Sequence, residues 1–159
     1  DGDGLDDVLV GAYEHTGGGE HAGAAYLIQG PGQWSSDLSD AEGKYLGEET
    51  WDYAGISVAG AGDVNADGSA DFLIGAKYDT GGPGAGAAYL VYGPSYGIID
   101  MSALTKFTGE AQLDEAGQYV AGAGDVDGDG YDDILVGAPI HAAGGSAAGA
   151  VYLVYGMGV

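Results

Sequence analysis

The sequence predicts an all-β protein built from a repeated, four-stranded antiparallel unit. The first observation is composition: 34 glycines and 12 tyrosines among 159 residues favour strands and tight turns over helices. The second is an acidic loop that occurs three times, each copy followed directly by a short apolar run. The third is a separate apolar block that recurs in step with those loops.

The acidic loops read DGDGLDDVLVGA from Asp1, GDVNADGSADFLIGA from Gly62 and GDVDGDGYDDILVGA from Gly124. The apolar block reads GAAYLIQG, GAAYLVYG and GAVYLVYG, and it starts every 63 residues at Gly23, Gly86 and Gly149. Self-similarity at a fixed period is typical of solenoids, propellers and other repeat architectures. The repeating unit is therefore about 62 residues long.

Four strands are predicted in the middle unit, over residues 56 to 61, 71 to 76, 86 to 92 and 103 to 108. Four antiparallel strands in a repeat of this size are typical of a propeller blade. The predicted division is 1–52 for a blade lacking strand 1, 53–114 for a complete blade and 115–159 for a blade lacking strand 4. With three, four and three strands, the chain holds about two and a half blades, and further blades of this chain or of another copy are expected to complete a ring or array.

The charge of the chain limits its partners. Three lysines and no arginine stand against 25 acidic residues, which gives a formal net charge of -22. Such a surface repels nucleic acid and anionic lipid headgroups, and the longest apolar runs are too short to insert into a membrane. Dissolved divalent cations are the expected partners, and the absence of cysteine excludes disulfides and thiolate metal sites.

The third acidic loop has the ligand pattern of a calcium site. Its carboxylates stand at positions 1, 3, 5 and 9, with a backbone carbonyl at position 7: Asp125, Asp127, Asp129, Asp133 and the carbonyl of Tyr131. Calcium takes six to eight oxygen ligands, including carboxylates and backbone carbonyls. Gly130 at position 6 permits the sharp turn that such a loop needs.

The other two loops carry fewer carboxylates. The second offers Asp63, Asn65, Asp67, Asp71 and the carbonyl of Ser69, and the first offers Asp1, Asp3, Asp7 and the carbonyl of Leu5, because its position 1 would precede the chain. Calcium affinity depends on the number of charged ligands. We therefore expect two or three calcium ions, with affinity falling as the number of carboxylates falls from four to three.

Two alternatives compete with this interpretation. An EF-hand needs a bidentate Glu at position 12 and flanking helices, but Val10, Ile74 and Val136 stand at that position. The aspartates could instead form only Asx turns between strands. Three loops in register, each with its glycine and closing aspartate, favour the metal site, and magnesium fits less well because it prefers few protein ligands.

The blocks YAGISVAGAGDVNADGSADFLIGA and EAGQYVAGAGDVDGDGYDDILVGAP resemble the FG-GAP repeat of integrin alpha-subunit propellers and their bacterial relatives. The Phe-Gly pair is replaced by Ala54-Gly55 and Ala116-Gly117, and Gly-Ala-Pro is complete only at 137–139. The resemblance implies a seven-bladed ring in the full-length family, calcium in the loops between strands 1 and 2, an extracellular setting, and ligand docking on the face opposite the calcium loops.

Side chains on that opposite face differ between the copies, as expected of a recognition site on a symmetric scaffold. The candidate contacts are Tyr13, His15, Trp51, Tyr53 and Tyr78, because aromatic residues favour interfaces. Trp51 and Tyr53 could instead cap the apolar seam between blades. His15 and His141 are equivalent in the repeat, and we expect both to be solvated loop residues rather than catalytic groups.

The function predicted from these features is non-enzymatic: a calcium-stabilised propeller module for extracellular adhesion or for recognition of a protein or glycan ligand. Calcium would join strands 1 and 2 and cancel acidic charge. One alternative is a structural subunit of a surface layer or filament, joined through open sheet edges. Another is a domain of a secreted hydrolase or lyase, although no Ser-His-Asp or paired-Glu pattern predicts catalytic residues.

Overall fold

The computed structural model describes residues 3–30, 37–79 and 84–158. These residues form eleven strands in three sheets, joined by turns and two short 3₁₀ helices at Leu38–Asp40 and Met101–Ala103. The all-β prediction is confirmed, and the sheets are the blades of a partial propeller. Within the described ranges, no helix has the length and apolarity needed to cross a membrane.

The second sheet is a complete blade. Its strand order is β4-β5-β6-β8, with antiparallel pairing throughout, and the bounds are Ala54–Gly62, Asp71–Ala76, Ala87–Val91 and Thr105–Thr108. All four predicted strands are present. The ends differ from the prediction by up to two residues.

The third sheet has three antiparallel strands in the order β11-β10-β9, with bounds Tyr119–Gly124 for β9, Asp133–Ala138 for β10 and Ala150–Val154 for β11. The first sheet starts with three antiparallel strands in the order β1-β2-β3, at Val8–Ala12, Ala24–Ile28 and Gly43–Leu46. Strands at equivalent places of the predicted repeating unit are therefore found in all three sheets.

The first sheet has four strands, whereas the sequence predicted three for the first blade. A fourth strand, β7 at Gly97–Asp100, comes from the connection between β6 and β8 and pairs in parallel with β3. The Tyr45 hydroxyl donates to the carbonyl of Ser95 at 2.6 Å, next to this crossing. An unpaired sheet edge leaves backbone groups unsatisfied, and β7 covers the outer edge of the first blade with a segment of the second.

Alternate side chains of each strand face opposite neighbouring blades, which gives one apolar seam on each side of the second blade. Phe72 and Ile74 pack towards the first blade, together with Leu27 and Tyr45. Leu73, from the same strand, packs with Ile134 of the third blade. The core is therefore a series of layers between sheets rather than a single central cluster.

The glycine of each Ala-Gly pair is required by close approach between blades. Gly55 and Gly117 both have left-handed backbones, with φ of +82° and +79°. A Cβ on Gly55 would overlap the carbonyl oxygen of Ala24, and one on Gly117 would overlap that of Ala87. Replacing Phe by Ala in this motif therefore leaves the residue that permits blade contact unchanged.

Candidate metal loops and recognition face

The third acidic loop, between β9 and β10, brings three predicted ligands together. Oxygen atoms of Asp125, Asp127 and Asp133 lie within 4.8 Å of one another. Asp133 is buried while Asp125 and Asp127 are exposed, so the group opens to solvent on one side. Asp129 lies outside this trio, and its Oδ1 accepts a hydrogen bond from the Tyr131 amide at 3.0 Å.

Backbone amides of the loop hold the Asp125 carboxylate in place. Its Oδ1 accepts from the amides of Gly128 and Asp129 at 2.7 and 3.1 Å, and its Oδ2 accepts from Gly130 at 2.9 Å. These are the turn-forming bonds expected of aspartate in a tight loop. They preorganise the carboxylate, and Oδ2, which accepts a single bond, has a further lone pair for a cation.

The second loop, between β4 and β5, has counterparts of two of these bonds. Asp63 accepts at Oδ1 from the Asp67 amide and at Oδ2 from the Gly68 amide, at 3.0 and 2.9 Å. The Asn65 side-chain amide donates to Oδ2 of Asp67 at 2.9 Å, and this bond is the main reason that the pKa of Asp67 is lowered. The Ser69 amide donates to Oδ1 of Asp67 at 2.8 Å, so this loop is also folded around its carboxylates.

The first loop is described only in part. Asp1 lies outside the described residues, whereas Asp3 accepts at Oδ1 from the amide of Leu5 at 2.8 Å. The closing residue Asp7 accepts at Oδ1 from the amide of Gly30 at 3.0 Å. These two bonds match those of the other loops at equivalent positions.

The closing aspartate of every loop also contacts the end of the third strand in its blade. Asp7, Asp71 and Asp133 accept through Oδ1 from three equivalent glycine amides, at 3.0, 2.8 and 2.9 Å: those of Gly30, Gly93 and Gly156. Sequence reasoning missed these glycines as part of the loops. Their recurrence every 63 residues at the end of the apolar block is the signal that could have found them.

The negative charge of the carboxylates around the third loop favours binding of a divalent cation. Partial desolvation, followed by the negative charges of Asp129, Asp133 and Asp125, raises the pKa of Asp127. The three lysines of the chain lie elsewhere: Lys44 over Tyr26, Lys77 over Tyr78 and Lys106 against Asp79. Clustered carboxylates away from these lysines form a hard-oxygen donor set, which is the chemistry that calcium prefers.

An ionisable cluster lies in the second blade on the far side from the loops. Asp79, only 1% exposed, forms an ion pair of 2.8 Å with Lys106 and accepts a hydrogen bond from the Tyr89 hydroxyl. Glu48 approaches the same ammonium at 3.2 Å.

Burial, followed by the charges of Asp79 and Glu49, raises the pKa of the nearby Asp52 to about 7. Oδ1 of Asp52 is buried without a hydrogen-bond partner in the described part of the chain.

The third blade has an equivalent cluster with different charges. Nδ1 of His141 lies 2.9 Å from Oδ2 of Asp114, and the His141 side chain is 12% exposed. The expectation that His141 is solvated was therefore wrong, because the blade buries this loop position against the preceding connection. Burial opposes ionisation of Asp114, but the bonds from His141 and the Ala111 amide outweigh it and lower the pKa of Asp114.

Four of the five predicted recognition residues meet at the junction of the first and second blades. We call the group made of Tyr13, His21, Trp51, Tyr53 and Tyr78 the aromatic cluster. The Tyr53 ring lies 6.2 Å from Tyr13 and 5.5 Å from Tyr78, and the His21 ring lies 4.5 Å from Trp51. Trp51 is 46% exposed and Tyr13 is 42% exposed, so the cluster both packs against the seam and presents aromatic surface to solvent.

The fifth candidate, His15, lies away from this cluster. Its Nδ1 accepts from the Gly17 amide at 2.9 Å, and its ring lies 6.1 Å from Tyr26. Burial, followed by the positive charge of Lys44, lowers the pKa of His15. The sequence prediction omitted His21, which replaces His15 within the aromatic group.

The backbone of the aromatic cluster belongs to the scaffold. Trp51 and Tyr53 are left-handed, with φ of +74° and +56°, and so are their equivalents Leu113 and Glu115, at +69° and +53°. Positive φ at non-glycine residues is uncommon and often marks a functional site. Because the repeat shares this geometry, the special feature of this junction is its aromatic side chains rather than its backbone.

Comparison with known proteins identifies the repeat. The family model for the FG-GAP repeat matches residues 54–91 and 118–154, which run from the first to the third strand of two blades and include the second and third acidic loops. Relatives include integrin alpha-PS2 of Drosophila melanogaster, 34% identical over 87% of this chain, and integrin alpha pat-2 of Caenorhabditis briggsae, 32% identical over 86%. Integrin alpha-7 of Rattus norvegicus is 34% identical over 85%. The chain spans only 10 to 12% of the length of these relatives.

Proposed function

Since this chain belongs to the FG-GAP repeat family, we propose that it is a calcium-stabilised β-propeller module for extracellular adhesion or recognition. The observation that carries the proposal is the group of Asp125, Asp127 and Asp133 oxygens within 4.8 Å of one another. It lies in a loop that the FG-GAP match includes. Similarity to integrin alpha chains supports the adhesion class and the cell-surface location.

Calcium supplies positive charge and oxygen coordination to the loops between strands 1 and 2 of each blade. In the third loop we assign Asp125, Asp127, Asp129, Asp133 and the carbonyl of Tyr131 as ligand residues. In the second loop the corresponding set is Asp63, Asn65, Asp67, Asp71 and the carbonyl of Ser69; in the first it is Asp1, Asp3, Asp7 and the carbonyl of Leu5. Neutralising these carboxylates stabilises the compact state of a chain with a formal charge of -22.

Recognition is proposed for the face opposite the loops. Its aromatic cluster combines exposed Trp51 and Tyr13 with packed rings that hold them in place. Rigid aromatic side chains give large contact area at low entropic cost. We therefore assign this face to a protein or glycan ligand. With the blade division that we propose, at residues 53 and 115, the cluster lies at a junction between two repeats.

The proposed module is not an enzyme. The ionisable groups with the strongest mutual contacts, Asp79, Lys106 and Asp114, are bonded to one another or to His141 and are largely buried. Such pairs are suited to holding connections together rather than to acid–base chemistry on a bound molecule. The filament and the hydrolase-associated domain remain alternatives without a structural observation in their favour.

Calorimetric unfolding with calcium and with EDTA tests the proposal. Chelation is expected to lower the midpoint temperature by about 5 °C or more, because a ligand that binds only the native state stabilises it by mass action. The double variant Asp125→Asn, Asp127→Asn should lose a large part of this response. An unchanged midpoint in EDTA would contradict the calcium assignment.

A further inference from the structure

The second and third acidic loops are in direct contact across the seam between their blades. Oδ2 of Asp132 accepts a hydrogen bond from the Asp63 amide at 2.8 Å. In return, the Asp132 amide donates to the carbonyl oxygen of Asp63 at 3.1 Å. A neighbouring bond of 3.1 Å joins the amide of Met157 to the carbonyl of Val64.

The two residues in this reciprocal pair hold key places in their loops. Asp63 occupies position 1 of the second loop, and its carboxylate organises the amides of Asp67 and Gly68. Asp132 stands between Tyr131 and Asp133, which are positions 7 and 9 of the third loop. The backbone of Asp63, an assigned ligand residue of the second loop, is thus held by Asp132. Asp132 in turn lies between Tyr131 and Asp133, two assigned ligand residues of the third loop.

A glycine makes this contact possible. Gly62 has a left-handed backbone with φ of +82°, and a Cβ there would overlap the Asp132 carboxylate. The equivalent Gly124 has φ of +70°, but a Cβ there would meet nothing within 4 Å. Asp132 is equivalent to Ala70 in the second loop and to Asp6 in the first, so the second loop lacks the carboxylate that forms the side-chain half of this link.

We propose that Asp132 is a positioning residue that couples cation binding in the second loop to cation binding in the third. The inference rests on the calcium function proposed above. When the third loop is ordered around Tyr131 and Asp133, the Asp132 backbone and carboxylate are fixed, and they in turn fix Asp63. A loop that is already ordered loses less conformational entropy on binding, which produces positive cooperativity between sites.

The amide signals of Gly68 and Gly130 in nuclear magnetic resonance spectra of the 159-residue chain follow each loop separately, because both amides donate to the position 1 carboxylate of their own loop. Calcium is titrated into the chain with an intact third loop and into the double variant Asp125→Asn, Asp127→Asn. We expect disabling the third loop to weaken calcium affinity at the Gly68 signal by about fivefold or more. In the Asp132→Ala background, where only the backbone bond to Asp63 remains, disabling the third loop is expected to weaken that affinity much less.

Two glycine variants provide a matched control. Gly62→Ala and Gly124→Ala impose similar backbone strain, but only the first displaces the Asp132 carboxylate, so only Gly62→Ala should reduce the coupling. An unchanged affinity after disabling the third loop, or an equal loss with and without Asp132, overturns the proposed coupling alone. If calcium shifts neither glycine signal in the unsubstituted chain, the calcium function itself fails, and the coupling fails with it.

Discussion

The second and third blades place an ionisable cluster at the same point of the repeat, but they neutralise it differently. In the third blade, His141 contacts Asp114 directly. In the second blade the equivalent of His141 is Asp79, which is bonded to Lys106 and Tyr89 instead. The equivalent of Asp114, which is Asp52, has a buried oxygen without a partner within the described ranges.

The difference shows that a repeated backbone does not impose a repeated charge balance. The same connection lowers the pKa of Asp114 and raises that of Asp52 to about 7. A carboxylate beside a histidine is stabilised in its charged form, whereas a buried carboxylate near a second carboxylate is destabilised. Burial is the largest cause of the raised pKa of Asp52, and the exchange of histidine for aspartate at the adjacent position adds to the difference between Asp52 and Asp114.

Removing Lys106 should break the second cluster and have the largest effect on stability. Lys106→Met leaves the buried Asp79 carboxylate without its ammonium partner, and breaking a buried ion pair in this way costs about 3–5 kcal/mol. The partly exposed position of Lys106, at 26%, puts the expected loss in the free energy of unfolding near the lower limit. Urea denaturation at neutral pH measures it.

Lys44→Met is the matched control, because Lys44 occupies the equivalent position in the first blade and lies over the Tyr26 ring. There the residue equivalent to Asp79 is His15, so no buried carboxylate loses its partner. We expect a loss below about 1 kcal/mol. Equal losses for the two lysine variants would mean that the ion pair with Asp79 has no special role.

Replacing Asp52 with Asn and replacing Asp114 with Asn should change the free energy of unfolding in opposite directions. Asp52 has a folded-state pKa of about 7, above its unfolded value, so the native state binds more protons and stability falls as pH rises from about 4 to about 7. Asp52→Asn removes this loss and should stabilise the protein at pH 8 by about 2 kcal/mol once solvent screening is allowed for.

Asp114→Asn should destabilise the protein at neutral pH. Because the folded-state pKa of Asp114 is lowered, its charged form contributes stability above the unfolded pKa, and this contribution is lost as pH falls through the folded value. Unfolding in urea at a series of pH values measures both variants. The same sign for both at pH 8 would refute the electrostatic distinction between the blades.

The loops of the same two blades differ at position 3, and exchanging these residues should have the smallest effect. Asn65→Asp gives the second loop four carboxylates, as in the third, and we expect calcium affinity there to rise about tenfold. Without calcium the variant should be less stable, because the bond from Asn65 to Asp67 is lost. Asp127→Asn is the reverse exchange and should weaken the third site; titration calorimetry measures both, and unchanged affinities would contradict the ligand assignment at position 3.

Much of the blade was predictable because its signals are local. The alternation of apolar residues and the recurring Gly-rich turns located all four strands of the second blade, and the spacing of Asp125, Asp127 and Asp133 predicted the group that the loop brings together. The strand β7 was not predictable in the same way. Its four residues pair in parallel with β3 of another blade, and nothing in a short window of sequence specifies that partner.

The aromatic cluster was predicted in part, for a related reason. Differences between repeats pointed to Tyr13, Trp51, Tyr53 and Tyr78, which lie together, but also to His15, which lies against Tyr26 instead. Whether a residue joins the cluster depends on the direction in which its loop crosses the seam between the first and second blades. His21 joins it through ring contacts with Trp51 and Tyr53, and these contacts depend on the packing of two connections.

The sequence alone determines the repeat, the strands and the acidic loops, because each depends on interactions among residues within roughly one turn or one strand of each other. Only the tertiary structure decides which loops and charges meet across the seams. Asp63 and Asp132 are 69 residues apart and Glu48 and Lys106 are 58 apart. Their contacts exist because sheet packing brings neighbouring blades together, which no local pattern encodes.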